Sequence, residues 1–344
     1  MTPNMDYLAL LDDLAVLRID GDDAVAFLHA QLSNDIGGMG PDDARLAAYC
    51  NPKGRMLGSL ILWRENGEPG QPLLALVKAD LVEPLLKRLR MFVLRAKVSL
   101  EITPRPIFGL SMASQPAVLA AGAGTPNTAA SGEPSAGPAW SAESAAWKVN
   151  RDTAYTRISA PSGPDGRSRS WLVAAGNTDP AALPDQLDLP LLGRETWYAE
   201  DIQAGLGWVE QANVELFIPQ SLNYDLIGGV SFTKGCYPGQ EIVARAHFRG
   251  AVKRRGIPGQ CRLPAGTRLQ AGMDVFDAQR PGSPAGRIIN AACADRTTDG
   301  ENSVWQIFME ATLSDIGHAD LRALSADGPA ISLHALPYAL EMKE

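Results

Sequence analysis

Apolar and polar positions in the first hundred residues alternate between strand-like and helix-like spacing. Short apolar runs typical of strands occupy residues 14–19, 45–50, 56–63, 73–77 and 96–102. A helix with Asp22 or Asp23 as its cap is predicted to follow the first run, and helical spacing recurs over 80–92. The sequence Asn51-Pro52-Lys53-Gly54 predicts a tight turn between two strands. Helices interleaved with turn-linked strands indicate an α+β unit with a mostly antiparallel sheet.

The remainder of the chain divides into three differently patterned parts. Residues 120–139 consist of Ala, Gly, Ser, Thr and Pro apart from two positions, which predicts a flexible insert. Strand-like runs then return over 145–149, 153–159 and 170–175, and a helical pattern covers 194–204. Turn-separated strands near 253–262, 273–277, 285–290, 303–310 and 330–335 favour a small β-barrel or sandwich.

Three domains follow from this pattern. The first is an α+β module over residues 1–104. The second covers residues 105–250, and contains the insert 120–139 and a motif-rich segment, 228–250. Residues 251–344 are predicted to form a C-terminal β-barrel.

Composition narrows the function classes without selecting one. The chain has 344 residues, 45% of them hydrophobic, and a formal net charge of −8. The negative charge argues against a protein that binds nucleic acid or a membrane over its whole surface. Its four cysteines form no C-x-x-C pair and its four histidines are scattered, so no metal site is predicted. The acidic N-terminal residues and the lack of a long apolar run favour a soluble, cytoplasmic protein without a membrane span.

The segment 228–256 carries the most informative residues. Cys236 follows Lys234 and precedes a Pro238-Gly239 turn, after which helix-forming residues begin at Gln240. A cysteine before a helix N-terminus and near Lys234 and Arg245 would experience a positive potential that lowers the pKa of its thiol. The sequence thus predicts a functional thiolate, with a buried cysteine that merely fills space as the alternative.

The same segment is locally basic. Residues 241–255 contain five Lys or Arg and only one acid, Glu241, which gives +4 here and −12 for the rest of the chain. Such a patch suits a polyanion, either RNA or the glutamate tail of a folate. The alternative is an ordinary solvated helix face followed by a strand of alternating charge.

The sequence resembles the YgfZ-type folate-binding proteins, which are relatives of the aminomethyltransferase (T-protein) of the glycine cleavage system. The resemblance is carried by KGCYPGQE at 234–241, by NPKGRML at 51–57 and by FIPQSLNYDLIGGVSF at 217–232. It implies a ring of ferredoxin-like modules with a C-terminal β-barrel, a tetrahydrofolate (or one-carbon derivative) cofactor, and partnership with iron–sulfur assembly factors or client enzymes. It assigns the functional role to Cys236, and cofactor binding to Lys234, Tyr237, Gln240, Glu241, Arg245, Gln203 and Asn223.

Two departures separate this chain from T-protein-like transferases. Those enzymes place a catalytic carboxylate on the strand after the turn matching 51–54, but residues 55–64 here contain no acid, and Gly58 and Ser59 occupy the equivalent positions. Relatives often carry Arg-Ile-Glu-Ala-Gly where this chain has Asp201-Ile202-Gln203-Ala204-Gly205, so a pterin would meet an uncharged Gln203.

Three functions remain open on the sequence alone. The first is a folate-binding accessory protein that supports assembly or repair of iron–sulfur enzymes, including those that thiolate tRNA, through Cys236. The second is an aminomethyltransferase or another one-carbon transferase with a relocated acid; the missing carboxylate argues against enzyme activity of that kind. The third is an RNA-binding adaptor that contacts tRNA through 245–255.

Overall fold

The computed structural model of the protein describes residues 5–113, 146–175, 179–249, 252–296 and 301–340. The predicted insert 120–139 lies outside these residues. The predicted α+β class is confirmed, because the described chain forms three sheets with five α-helices. The domain bounds expected from the sequence stay a prediction.

The first sheet has five antiparallel strands and is formed by the N-terminal part of the chain. Its elements in chain order are β2 (Leu14–Asp20), α1 (Ala24–Gln31), β3 (Ala44–Cys50), β4 (Met56–Arg64), β5 (Leu73–Lys78), α2 (Ala79–Val93) and β6 (Ser99–Thr103), and the strand order is β3-β4-β5-β2-β6. Asp23 precedes α1, but its carboxylate accepts the backbone N–H of Lys97 instead of capping the helix. All residues of β4 and β5 are buried, which explains their uninterrupted apolar runs.

The second sheet has six strands and includes the chain's first strand. Its elements are β1 (Tyr7–Leu10), β7 (Ile107–Met112), β8 (Val149–Arg151), β9 (Tyr155–Ala160), β10 (Ser168–Ala174), α3 (Leu183–Leu187), β11 (Leu191–Leu192) and α4 (Arg194–Gln203), with the strand order β11-β1-β7-β10-β9-β8. Helix α4 packs tightly on β7, since a Cβ on Gly109 would collide with the Trp197 indole.

The third sheet forms a nearly closed barrel at the C-terminus. It comprises β12 (Arg254–Pro264), β13 (Asp274–Asp277), β14 (Gly286–Arg296), β15 (Asn302–Thr312), β16 (Leu321–Ala323) and β17 (Ser332–Leu333), in the order β16-β13-β14-β15-β12-β17. Backbone hydrogen bonds from Ala323 to Pro329 and from Ile331 to Leu321 join the β16 edge to the chain entering β17. Between the second sheet and the barrel lie two 3-10 turns (Gln211–Asn213 and Pro219–Leu222) and α5 (Gln240–Phe248).

A buried ion cluster anchors α4 on the second sheet. Arg169 on β10 donates hydrogen bonds to Glu200 (3.0 Å) and Asp201 (2.6 Å), and its guanidinium lies 4.1 Å from the ring centroid of Trp197. The three charged side chains are almost fully buried. Burial raises the pKa of Asp201 even though Arg169 opposes the shift, so the cation is needed to keep these acids in the interior.

Removal of this cation is therefore expected to be costly. Arg169→Met would leave the buried Asp201 without its cation and Glu200 with only the longer contact to Arg167, and would lower the free energy of unfolding by about 3–5 kcal/mol. The control is Arg194→Met, because Arg194 pairs with Asp12 at an exposed position and its loss should cost no more than about 1 kcal/mol. Urea unfolding of both variants measures the difference, and equal losses would contradict the assigned role of Arg169.

Candidate functional site

The segment that carries Cys236 is a surface loop leading into α5. Gly235 and Cys236 are exposed, whereas the next residue, Tyr237, is buried with only 7% of its surface accessible. Gly239 then adopts a left-handed conformation (φ 84°) and begins α5. The loop thus buries the tyrosine ring while it exposes the thiol of its neighbour.

The turn at residues 51–54 supports this loop from below. Asn51 shapes the turn, because its Oδ1 accepts the backbone N–H groups of Lys53 (2.9 Å) and Arg55 (3.1 Å). A Cβ on Gly239 would collide with the carbonyl oxygen of Asn51 and lie 2.7 Å from the Cα of Gly54. A Cβ on Gly54 would in turn lie 2.9 Å from Cβ of Ile242 on α5. The two turns therefore meet backbone against backbone, which only glycine permits at both positions.

Lys234 fixes the loop on its other side. Its Nζ donates hydrogen bonds to the carbonyl oxygens of His29 and Leu32 (2.7 Å for Leu32), which lie at the C-terminal end of α1. A cation is favoured there, because the last carbonyls of a helix lack partners and carry partial negative charge. Burial lowers the pKa of Lys234 to about 8, opposed by the nearby charges of Asp35 and Cys236. Lys234 thus ties the loop to α1 and contributes positive charge close to the thiol.

His29 and Asp35 join this site although the sequence did not point to them. His29 Nδ1 lies 3.2 Å from Oδ1 of Asp35, and the backbone N–H of Gly37 reaches the same nitrogen at 3.3 Å. The opposite nitrogen, Nε2, faces Gly235, 4.0 Å from the position that a Cβ would take. About 200 residues separate His29 from the loop, so no local motif could link them. The one available signal was their place in the segment 21–36, which has no chemical motif of its own.

The predicted cofactor residues fall into separate groups. Gln240, Glu241 and Arg245 lie on α5, the last two exposed. Asn223 is fully buried at a left-handed position (φ 60°) and donates hydrogen bonds to Gly256 O (2.7 Å) and Tyr338 Oη (3.1 Å). Gln203 ends α4, where its Cβ lies beside Gly163, and no hydrogen bond or ion pair between described residues connects it to the Cys236 loop.

The basic segment 245–255 is not one continuous surface. Arg255 is buried and pairs with both oxygens of Asp225 at 2.5 and 3.0 Å. Arg254 binds Glu310 at 2.9 Å. The remaining cations of the segment, Arg245, Arg249 and Lys253, are exposed and have no ion-pair partner within the described ranges.

Strand β4 contains the two positions expected to replace a catalytic acid. A Cβ on Gly58 would point at Leu85 of α2, so this residue faces the helix. Ser59 points to the opposite side, where its Oγ accepts hydrogen bonds from Tyr224 Oη (2.7 Å) and the Val209 N–H (3.0 Å). The side of β4 that faces the interior is thus occupied by a neutral hydroxyl network, not by a carboxylate.

Metal-binding clusters and membrane-spanning helices are both missing from the described residues. No group of three or more His, Cys, Asp or Glu side chains is arranged to hold a metal ion in the described ranges. None of the helices in the described part of the chain combines the length and apolar character that crossing a membrane requires.

The close approach of the two turns predicts a specific cost for a methyl group. Gly239→Ala should lower the free energy of unfolding by about 1–2 kcal/mol for its left-handed backbone and by a further ~1–3 kcal/mol for the collision with Asn51 and Gly54. Gly70→Ala is the matched control, because Gly70 has φ 81° and no atom within 4 Å of the place its methyl group would take, so it reports the backbone term alone. Chemical denaturation compares the two, and equal losses would show that the turns do not touch.

The fold agrees with comparisons to known proteins. No protein-family model matches the chain. It is 30% identical to the tRNA-modifying protein YgfZ of Escherichia coli (strain K12) over 342 residues, 97% of this chain and 94% of the relative, with the same values for the protein of E. coli O157:H7 (strain EC4115 / EHEC). Its structure is similar to the glycine cleavage system aminomethyltransferase T from Bartonella henselae, with a TM-score of 0.66, 17% identity, and coverage of 98% of this chain and 87% of that chain. This similarity confirms the predicted T-protein-like fold. On the sequence identity to its curated relatives, the chain belongs to the YgfZ family.

Proposed function

We propose that this protein is a cytoplasmic, folate-binding accessory protein that supports the assembly or repair of iron–sulfur enzymes, including those that thiolate tRNA. The relatives at 30% identity are named tRNA-modifying proteins, which supports the tRNA part of the proposal. The structural observation that carries the proposal is the setting of Cys236. It is the exposed thiol of the four cysteines, since Cys50 and Cys261 are buried and Cys293 is half-buried.

The other thiols are poorly suited to chemistry. Burial raises the pKa of Cys50 and of Cys261 to about 12 each, so both remain protonated at neutral pH. Cys236 instead lies in solvent, next to the Lys234 ammonium and before the N-terminus of α5. We infer that its thiolate contacts a cluster, a persulfide or a one-carbon adduct of folate, with Lys234 as the positioning cation and His29 as a neighbouring imidazole.

The interior contains aromatic side chains and hydrogen-bonding groups of the types that bind a pterin ring. Trp171 stands between Trp147, Trp197 and Trp208 at ring-centroid distances of 5.8–6.2 Å. The Trp171 indole N–H and the Asn223 side-chain oxygen are buried without a hydrogen-bond partner among the described residues. A heterocycle with both hydrogen-bond donors and acceptors would satisfy such polar groups. A bound folate would supply the one-carbon chemistry that this chain's own side chains lack.

A transferase function is less well supported. One acid adjacent to the Ser59 network is Glu210, but its side chain accepts the backbone N–H of Asn213 and a hydrogen bond from Asn290. It lines a polar cavity of about 170 Å³ together with Lys78 and Asp13, which form their own ion pair at 2.8 Å. The hydrogen bonds of Glu210 thus stabilise the local structure. Its burial is explained without a role as a relocated catalytic acid.

The proposal predicts that function depends on one sulfur atom. In a strain that lacks its own YgfZ, Cys236→Ser should reduce thiolated nucleosides in total tRNA to the level of the empty strain, because the hydroxyl cannot replace a thiolate. Cys293→Ser is the matched control and should restore wild-type levels, as Cys293 lies in the barrel. Mass spectrometry of hydrolysed tRNA provides the measurement, and full restoration by Cys236→Ser would refute the role of the thiol.

A further inference from the structure

Three aromatic rings form a cluster at the C-terminal end of α5, in which Phe248 is exposed and Phe232 and His247 are half-buried. Phe232, from the loop before Cys236, stacks on His247 with 3.8 Å between ring centroids and 14° between planes. Phe248 meets both rings edge to face, at 5.7 Å from Phe232 and 4.7 Å from His247. We call these three residues the aromatic platform.

The platform presents its outermost ring to solvent. Phe248 is 66% exposed, one of the largest exposures of any bulky apolar side chain in the described ranges. Its position at the end of α5 contributes little to folding, because a ring that remains in water gains little transfer free energy. An exposed aromatic ring that is backed by two half-buried rings indicates a surface that binds a partner.

Positive charge without partners borders the platform. Arg245 and Arg249 are four residues apart and thus lie on the same side of α5, and Lys253 follows shortly after. All three are exposed and take part in none of the ion pairs between described residues, unlike Arg254 and Arg255. A partner that combines flat rings with negative charge matches this surface, whereas a purely apolar protein surface would leave the three cations unpaired.

We propose that the aromatic platform binds single-stranded nucleotides of an RNA. Bases would stack on Phe248 and His247, and phosphates would lie near Arg245, Arg249 and Lys253. Single strands are favoured because only unstacked bases offer a face to an aromatic side chain. The inference deepens the proposed function, on which it rests: it identifies where an RNA substrate would sit.

The position of the platform relates it to the thiol. Helix α5 has nine residues, so its two ends lie about 13 Å apart. Cys236 precedes one end and the platform lies at the other, with Phe232 four residues before Cys236 in the chain. An RNA loop held on the platform would therefore lie about one helix length from the functional thiol.

Fluorescence anisotropy with the full chain tests the inference. The probes are a short single-stranded RNA, the same strand in a duplex, and the same strand with its bases removed, which keeps only the phosphates. The wild-type protein should bind the first more tightly than the other two. Phe248→Ala should weaken single-strand binding at least about fivefold, and Phe248→Trp should retain it, because stacking depends on the ring and not on the base sequence.

The cationic border has its own variant and controls. Arg249→Gln should weaken binding of single strand and duplex alike and reduce the dependence on salt by about one ion per lost phosphate contact. Met91→Ala on α2 and Arg262→Gln on β12 remove an equally exposed apolar and cationic side chain elsewhere, and both should bind RNA as the wild type does. Circular dichroism melting should show that Phe248→Ala stays folded, as expected for an exposed ring.

The outcomes separate this inference from the proposed function. Three results would overturn the proposed RNA site: unchanged single-strand binding by Phe248→Ala, equal affinity for duplex and single strand, or no RNA binding by the wild type. The last result would leave a protein partner as the occupant of the aromatic platform. Cys236→Ser should bind RNA normally. If Phe248→Ala loses RNA binding while Cys236→Ser still supports tRNA thiolation in cells, the platform stands and the role of the thiol fails.

Discussion

The contact between two glycine turns holds the candidate site together. Gly54 and Gly239 come so close that neither position has room for a side chain, and this contact brings the N-terminus of α5 onto the first sheet. Lys234 secures the same loop to the end of α1 from the other side. Tyr237 is buried as a consequence, Cys236 is left exposed, and the direction of α5 places Arg245 and Phe248 at the surface.

Sequence patterning predicted elements well where the apolar runs were long or the turns were strong. Strands β4 and β5 and helix α2 have unmistakable spacing, and the 51–54 turn was found from its Pro and Gly. Strand β1 was missed because its four residues show no period and it forms its sheet with β7 and β11, about 100 and 180 residues away. The sequence likewise placed Arg255 in a basic surface patch, because its pairing with Asp225 arises only from the tertiary structure.

The candidate site was predicted in the same uneven way. Cys236, Lys234 and the start of α5 follow from one local motif, so their arrangement was accessible to sequence reasoning. His29 and Asp35 reach the loop only through tertiary structure. Gln203 lies on a different side of α4 from Asp201, and the sequence did not reveal that Asp201 pairs with Arg169. The residues of one local motif could therefore be predicted from the sequence, whereas contacts between residues far apart in the chain could not.

In this T-protein-like frame Ser59 and Tyr224 form a hydroxyl pair on one side of β4, and the interior contains buried polar atoms without hydrogen-bond partners among the described residues. The central claim is that the frame still binds a reduced folate. Isothermal titration calorimetry with tetrahydrofolate tests that claim most directly. Saturable binding of one folate per chain is predicted. Absence of any saturable heat with the folded wild-type protein would contradict the claim.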